Sequence, residues 1–208
     1  MVQTVLAKDV SLIELKNLFG LQLNRDEDFF REWQDNLPEL TESEKQLLDK
    51  VQAGYFNLLQ YPPMLENVVR MSILDPVLFI GNFYLSPFYI TSEKSIEIST
   101  LDEGRIIKGS LDTLVLKDRF WVMVIESKRA NFSIEAGLAQ ILAYMLANPD
   151  GEKPNFGMIT TGGSFIFLKL VQGEFPQYAT SKTYQLLNPH NDLYKVLGIL
   201  KHLCELVL

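Results

Sequence analysis

GSLDTLVLKDRFWVMVIESKRA, residues 109–130, decides how this chain folds. Phe120 to Ile125 is a continuous apolar run that ends abruptly in Glu126-Ser127-Lys128-Arg129. Upstream, Asp112 sits among Leu111, Leu114, Val115 and Leu116. The two halves flank Lys117-Asp118-Arg119 and predict a hairpin of strands over 105–116 and 120–128. An unbroken apolar run suits a strand covered on both faces. A charge buried there is costly unless it is paired or holds a metal. Two carboxylates and a lysine at this place therefore need a cause.

Register decides whether these charges meet. With residues 117–119 as the turn, Leu116 lies opposite Phe120 and Asp112 opposite Val124. Glu126 is then the diagonal neighbour of Asp112 on one face, and Lys128, Ser110 and Lys108 continue that face. Carboxylates so placed can reach one cation. A two-residue turn without a bulge would send Glu126 to the opposite face. A salt bridge from Asp112 to Lys108 or Lys128 would also satisfy the charges, but aspartate is depleted in strand interiors.

Working outward, residues 133–146 read as a helix with Ser133 as N-cap and Ile134, Leu138, Ile141, Leu142 and Met145 as its apolar stripe. Gln140 and Tyr144 stand one turn apart on a neighbouring face, beside Ala136 and Gly137. An amide on a helix covered on both faces needs a polar partner. Residues 156–160 and 164–170 predict a second hairpin around Thr161-Gly162-Gly163, with a further strand near 178–187. Leu193, Val196, Leu197, Leu200 and Leu203 mark a closing helix. Toward the N-terminus, Thr41 and Glu44 form a capping box ahead of a helix carrying Leu47, Leu48, Val51, Tyr55, Leu58 and Leu59. A second helix is expected over 64–74, ending before Asp75-Pro76. SIEIST, 95–100, alternates as a strand. Helices, strands, helix, strands and helix in that order predict an α/β chain, a mixed sheet with helices on both faces.

The 208 residues and 47% hydrophobic content suit one sizeable core, so one domain is expected. Its parts are a helical segment over 1–60, a core over 64–170 and a strand and helix over 171–208. The single cysteine, Cys204, excludes a disulfide framework and a thiolate metal centre, and is expected to pack on the last helix. MVQTVLAKDV has no signal-peptide pattern, and Asp75, Pro76, Gly81 and Pro87 break the apolar stretch 71–90, so no membrane partner and a cytoplasmic setting are expected. The net charge of −7 argues against a broad basic nucleic-acid surface but not against a local groove.

Gly109-x-x-Asp112, Glu126-x-Lys128 and Gln140-x-x-x-Tyr144, in this order on strand, strand and helix, resemble the PD-(D/E)xK nuclease superfamily. The resemblance is to the branch that includes RecB-type nuclease domains and the nuclease domains of type I restriction motor subunits. Glu66 matches the acidic residue that these domains place before the sheet, and 156–170 matches the strand pair after the helix. The resemblance spans 64–170. It implies a restriction endonuclease-like fold and Mg²⁺-dependent phosphodiester cleavage, with Mn²⁺ as a substitute and DNA as the partner. By the same resemblance Asp112, Glu126 and the Ser127 carbonyl hold the metal, and Lys128 orients the attacking water. Gln140 and Tyr144 position Lys128 or the nucleic-acid backbone. No G-x-x-x-x-G-K-[ST] loop is present, so a helicase or restriction–modification partner would be a separate chain. The superfamily also makes a homodimer an expectation to test.

Two other readings compete. One is a nuclease-fold module that binds nucleic acid or regulates without turnover, which the acidic charge favours. The other is a structural α/β protein with a lysine–carboxylate cluster. His190 and His202 lack ligand spacing and a matched nucleophile. Gly162-Gly163 reads as a hairpin turn. Phe79, Phe83, Tyr84, Phe88 and Tyr89 could stack on bases, but their density in an apolar segment favours core packing.

Overall fold

The fold is described from a computed structural model covering residues 3–62, 64–99, 105–117, 120–128, 134–151 and 153–207. The elements run β1 (Gln3–Leu6), a 3-10 turn (Ala7–Asp9), α1 (Leu12–Phe19), β2 (Gln22–Leu23) and α2 (Glu42–Leu58). Then come α3 (Glu66–Val69), a π turn (Arg70–Leu74), α4 (Asp75–Ile80), β3 (Phe88–Ser99), β4 (Arg105–Lys117) and β5 (Phe120–Ser127). The chain closes with α5 (Ile134–Leu146), β6 (Asn155–Thr160), β7 (Ser164–Val171), β8 (Gln177–Thr180), β9 (Tyr184–Gln185) and α6 (Leu193–Leu206).

Among the described residues the strands form one mixed sheet in the order β1-β4-β5-β6-β7-β8-β2, with β3 also on β4 and β9 also on β7. The parallel β5–β6 pair is joined through α5. One face of the sheet packs Val115, Met123, Ile125, Phe165 and Phe167 against Leu48 and Tyr55 of α2, Val69 and Val77 of the 66–80 helix, and Leu197 and Leu200 of α6. The other packs Ile107, Leu114, Val124, Ile159 and Leu168 against Leu15 of α1 and Ile141, Leu142 and Met145 of α5. This is the expected α/β arrangement, with helices on both faces. Cys204 is fully buried on α6, as its apolar neighbours predict.

The capping box at Thr41 forms as read, with Thr41 Oγ1 accepting from Glu44 N–H and the Glu44 carboxylate accepting from Thr41 N–H. Ser133 lies outside the described residues, and the helix after it runs from Ile134. Three readings are corrected. The first 60 residues are not helical throughout: β1 pairs parallel with the start of β4, and β2 pairs parallel with β8. These strands are too short for periodicity to reveal. The strand expected near 178–187 is two short strands, β8 and β9. The helix expected to stop at Leu74 continues to Ile80. An α-helix through Pro76 would lose a hydrogen bond and press the ring on a carbonyl one turn back. The chain widens instead, and Asp75 N–H donates to Arg70 O across five residues.

The hairpin register also differs from expectation. Lys117 pairs with Phe120, so only two residues, Asp118 and Arg119, intervene, and both lie outside the described residues. Leu116 then pairs with Trp121 but Val115 with Met123. The bulge leaves Val122 unpaired and shifts the pairing by one residue. From there Leu114 faces Val124 and Thr113 faces Ile125. The pairing ends there, and one step further in the same register Asp112 falls opposite Glu126 rather than diagonal to it. Without the bulge, this turn would have put the two carboxylates on opposite faces.

Candidate active site

β4 is paired along one edge by β3 for nearly its whole length. Its other edge is shared: β1 covers Arg105 to Lys108, and β5 covers Thr113 to Lys117. The two neighbours part over residues 109–112, and the candidate residues gather there. A second irregularity marks the place. Leu111 and Leu114 both pack on the α5 side, so the strict alternation of β4 slips between them. The β3–β4 pairing skips Asp112, between Ser92 opposite Thr113 and Lys94 opposite Leu111, and the β3 residue skipped with it, Glu93, has a φ of +54°, unusual for a non-glycine residue. Nothing in the sequence around Glu93 signals this.

Glu126 ends the apolar run of β5 and is fully buried. Lys128 follows the strand, and its N–H donates to Thr160 O at 2.8 Å, which carries the β5–β6 pairing one bond further. Lys128 Nζ, only 14% exposed, donates to Glu126 Oε1 at 2.5 Å. Glu126 Oε2 is buried with no hydrogen-bond partner. Burial pushes the Glu126 carboxyl up to about 8, with the Asp112 charge adding to the shift, the Lys128 ammonium opposing it and Glu66 raising it further. Glu66, at the start of α3, is held above the ordinary carboxylate range by partial burial and then by Asp112, against the pull of Lys128 and Arg70. Side chains from α3, β4 and β5 thus share one electrostatic site. The Arg70 guanidinium pairs with Asp75 at 3.8 Å.

From α5, Gln140 Nε2 donates to the Tyr144 hydroxyl at 2.7 Å. This is the polar partner that the covered amide required, and both side chains are buried. The Tyr144 oxygen also takes a backbone hydrogen bond from Ser110, which fastens α5 to β4 two residues from Asp112. Burial pushes the Tyr144 phenol up, and the Glu126 charge adds to this. Gly109 explains itself here. A Cβ at this position would stand 2.7 Å from Tyr144 Cε1 and 2.8 Å from Ala7 Cβ. Only glycine lets the Tyr144 ring lie against β4.

The structure therefore brings Gly109, Asp112, Glu126, Lys128, Gln140, Tyr144 and Glu66 to one locality. Ser127 contributes its backbone to the pairing with Thr160. His190 is exposed and His202 is on α6, apart from this site. Among the described residues, no three His, Cys, Asp or Glu side chains stand in an arrangement that could hold a metal ion. The donors present still suit a hard divalent cation: two carboxylates from adjacent strands, one with an orphaned buried oxygen. Among the described residues, no helix is long and apolar enough to cross a membrane.

The sequence matches no protein-family model and no curated protein. Among solved structures, a cryo-EM structure of a DrdV–DNA complex is similar at a TM-score of 0.49 and 14% identity, over 77% of this chain and 14% of that one. This chain thus corresponds to a small part of that protein's length. The superposition is too loose to carry an argument, so function rests on the chain's own residues.

Proposed function

We propose that this chain is a Mg²⁺-dependent phosphodiesterase of restriction endonuclease-like fold that acts on DNA. One observation carries the reading: Glu126 is fully buried, keeps an oxygen with no hydrogen-bond partner, and feels the charge of a second carboxylate, Asp112. A structural ion pair would not need Asp112 and Glu66 to crowd a carboxylate that Lys128 already neutralises. A cation relieves that crowding. Asp112, Glu126 and the Ser127 carbonyl would hold it, with Mn²⁺ as a substitute. The ion supplies an acidified water and neutralises charge on the phosphate.

The chain's own groups do the rest. The Lys128 ammonium, anchored by the last β5–β6 hydrogen bond, orients the attacking oxygen and offsets charge that develops on the phosphate. Gln140 and Tyr144 lock the wall from which the substrate backbone is approached. Glu66, at the start of α3, accepts a proton or bonds to a water at the site. Its raised affinity for protons suits that role.

The test is calorimetric titration of Mg²⁺ and Mn²⁺ into chelator-treated protein, alongside D112A and E126Q, followed by cleavage assays on single- and double-stranded DNA. Saturable binding lost in both variants, with metal-dependent cleavage lost in parallel, supports the reading. Metal binding without cleavage of any nucleic acid would favour a module that binds or regulates without turnover. No metal binding and no cleavage would refute the enzyme reading.

A further inference from the structure

The five aromatic residues between Phe79 and Tyr89 divide into two groups. Phe83 is buried and its ring lies 5.4 Å from that of Phe88, in the core as their density predicts. Phe79 is 72% exposed, and Tyr84 and Tyr89 are each 46% exposed. The core-packing expectation therefore fails for three of them. Exposed aromatic rings are costly in water, so this placement calls for an occupant.

The outer rings are continuous with the candidate site. Glu66 begins the helical run that ends at Ile80, and Arg70, Met71, Asp75 and Phe79 recur along it about one turn apart. Met71 is 70% exposed. Arg70 acts electrostatically on Glu66 and pairs with Asp75, and Asp75 accepts the Tyr84 hydroxyl. The Tyr84 and Phe79 rings stand 6.5 Å apart, tilted by 47°. From Glu66 to Phe79 the helix rises by roughly 20 Å. That is about six steps of a stacked strand at ~3.4 Å each.

Leu65 and Leu85 extend this surface, at 57% and 61% exposure. Asn67 and Asn82 are exposed on the same segment, and the Arg70–Asp75 ion pair crosses it. The centre of a protein interface is depleted of charged residues, whereas here an ion pair lies across the apolar surface. A cation beside solvent-facing rings, leading away from a phosphate-cleaving site, suits a nucleic-acid strand with its base faces open. We infer that Arg70, Phe79 and Tyr84 form a track for unpaired bases, and that the substrate is single-stranded nucleic acid or a duplex with a single-stranded arm. The inference rests on the proposed nuclease reading for the direction of the strand. A duplex hides its base faces and gains nothing from these rings.

The test is fluorescence anisotropy with a labelled 16-nucleotide single strand, the same strand with abasic sites, and its duplex. The protein is the E126Q chain in Mg²⁺, in which the proposed cleavage is disabled and the labelled strand stays intact. F79A and Y84A are placed on this background, and both positions are exposed enough for the fold to survive. Stacking predicts that each change weakens single-strand binding about tenfold, and that duplex affinity is unchanged. Abasic substitution should weaken binding to the parent but not to the doubly substituted chain. Equal binding by parent and variants, no binding of single strands, or a dimer that F79A dissolves would each overturn the track. The nuclease reading is judged separately, by metal-dependent cleavage in the unsubstituted chain. It survives if cleavage occurs while F79A and Y84A bind normally, and it fails if the track binds but nothing is cut.

Discussion

Replacing Glu126 by glutamine tests the electrostatic core of the site without any substrate. The folded carboxyl is raised to about 8 by burial and by Asp112, whereas the unfolded chain carries an ordinary carboxyl near 4.5. Below pH 4.5 both states hold the proton and Glu126 contributes no penalty. Between the two values the folded state keeps a proton that the unfolded state has released, so stability falls as pH rises. The loss is at most ~1.4 kcal/mol per pH unit for one proton. Across the window it reaches the order of 5 kcal/mol. Glutamine has nearly the same shape, stays neutral and can still accept from Lys128. In EDTA, E126Q should match the wild type near pH 5 and gain on it steadily towards pH 8. Urea unfolding of both proteins at unit pH steps measures the difference directly, and groups common to both chains largely cancel. A flat difference curve, or one in which the wild type gains with pH, would refute the reasoning, because Glu126 would then be an ordinary ionised partner of Lys128.

Other perturbations follow from the same geometry. D112A should leave stability in EDTA unchanged or raise it, because the charge that crowds Glu126 is gone; a large loss by urea unfolding would mean a structural ion pair instead. Mg²⁺ at a hundredfold excess over its Kd should raise the wild-type Tm by roughly 5–10 °C, and scanning calorimetry should show no such rise in D112A. G109A should cost about 1–3 kcal/mol in urea unfolding, because its methyl meets the Tyr144 ring and Ala7. Y144F removes the acceptor of the buried Gln140 amide and should cost about 1–3 kcal/mol, and a change within a few tenths in urea unfolding would show that Gln140 finds another partner.

Much of this was legible because long elements announce themselves. The apolar run 120–125, the stripe of α5 and the Thr41 capping box each carry several agreeing signals, and each appears where the sequence puts it. Asp112, Glu126, Lys128, Gln140 and Tyr144 were legible as a set because a polar group in an apolar element needs a reason. What escaped was settled by contacts at a distance. β1 and β2 are strands because β4 and β8 offer them an open edge, and four or two residues leave no period to read. The helix through Pro76 departs from the sequence expectation because proline normally ends a helix, whereas here a π turn absorbs it.

The bulge at Val122 keeps the two carboxylates on one face while changing their pairing from the one the sequence predicts. A three-residue turn and a two-residue turn with a bulge shift the pairing by one residue in opposite directions, and either shift puts Asp112 and Glu126 back on one face. They differ in distance: the first makes the carboxylates diagonal, the second makes them direct neighbours. Direct neighbours repel more strongly, and this repulsion adds to burial, the larger cause of the raised proton affinity of Glu126. Without metal, that repulsion is relieved by holding a proton. A cation must displace the proton to bind, so its affinity should rise with pH up to about 8 and level off above it. Calorimetric titration at pH 6, 7 and 8 would show this as a tenfold change per unit at most. A pH-independent affinity would mean that the cation, if bound, does not use Glu126.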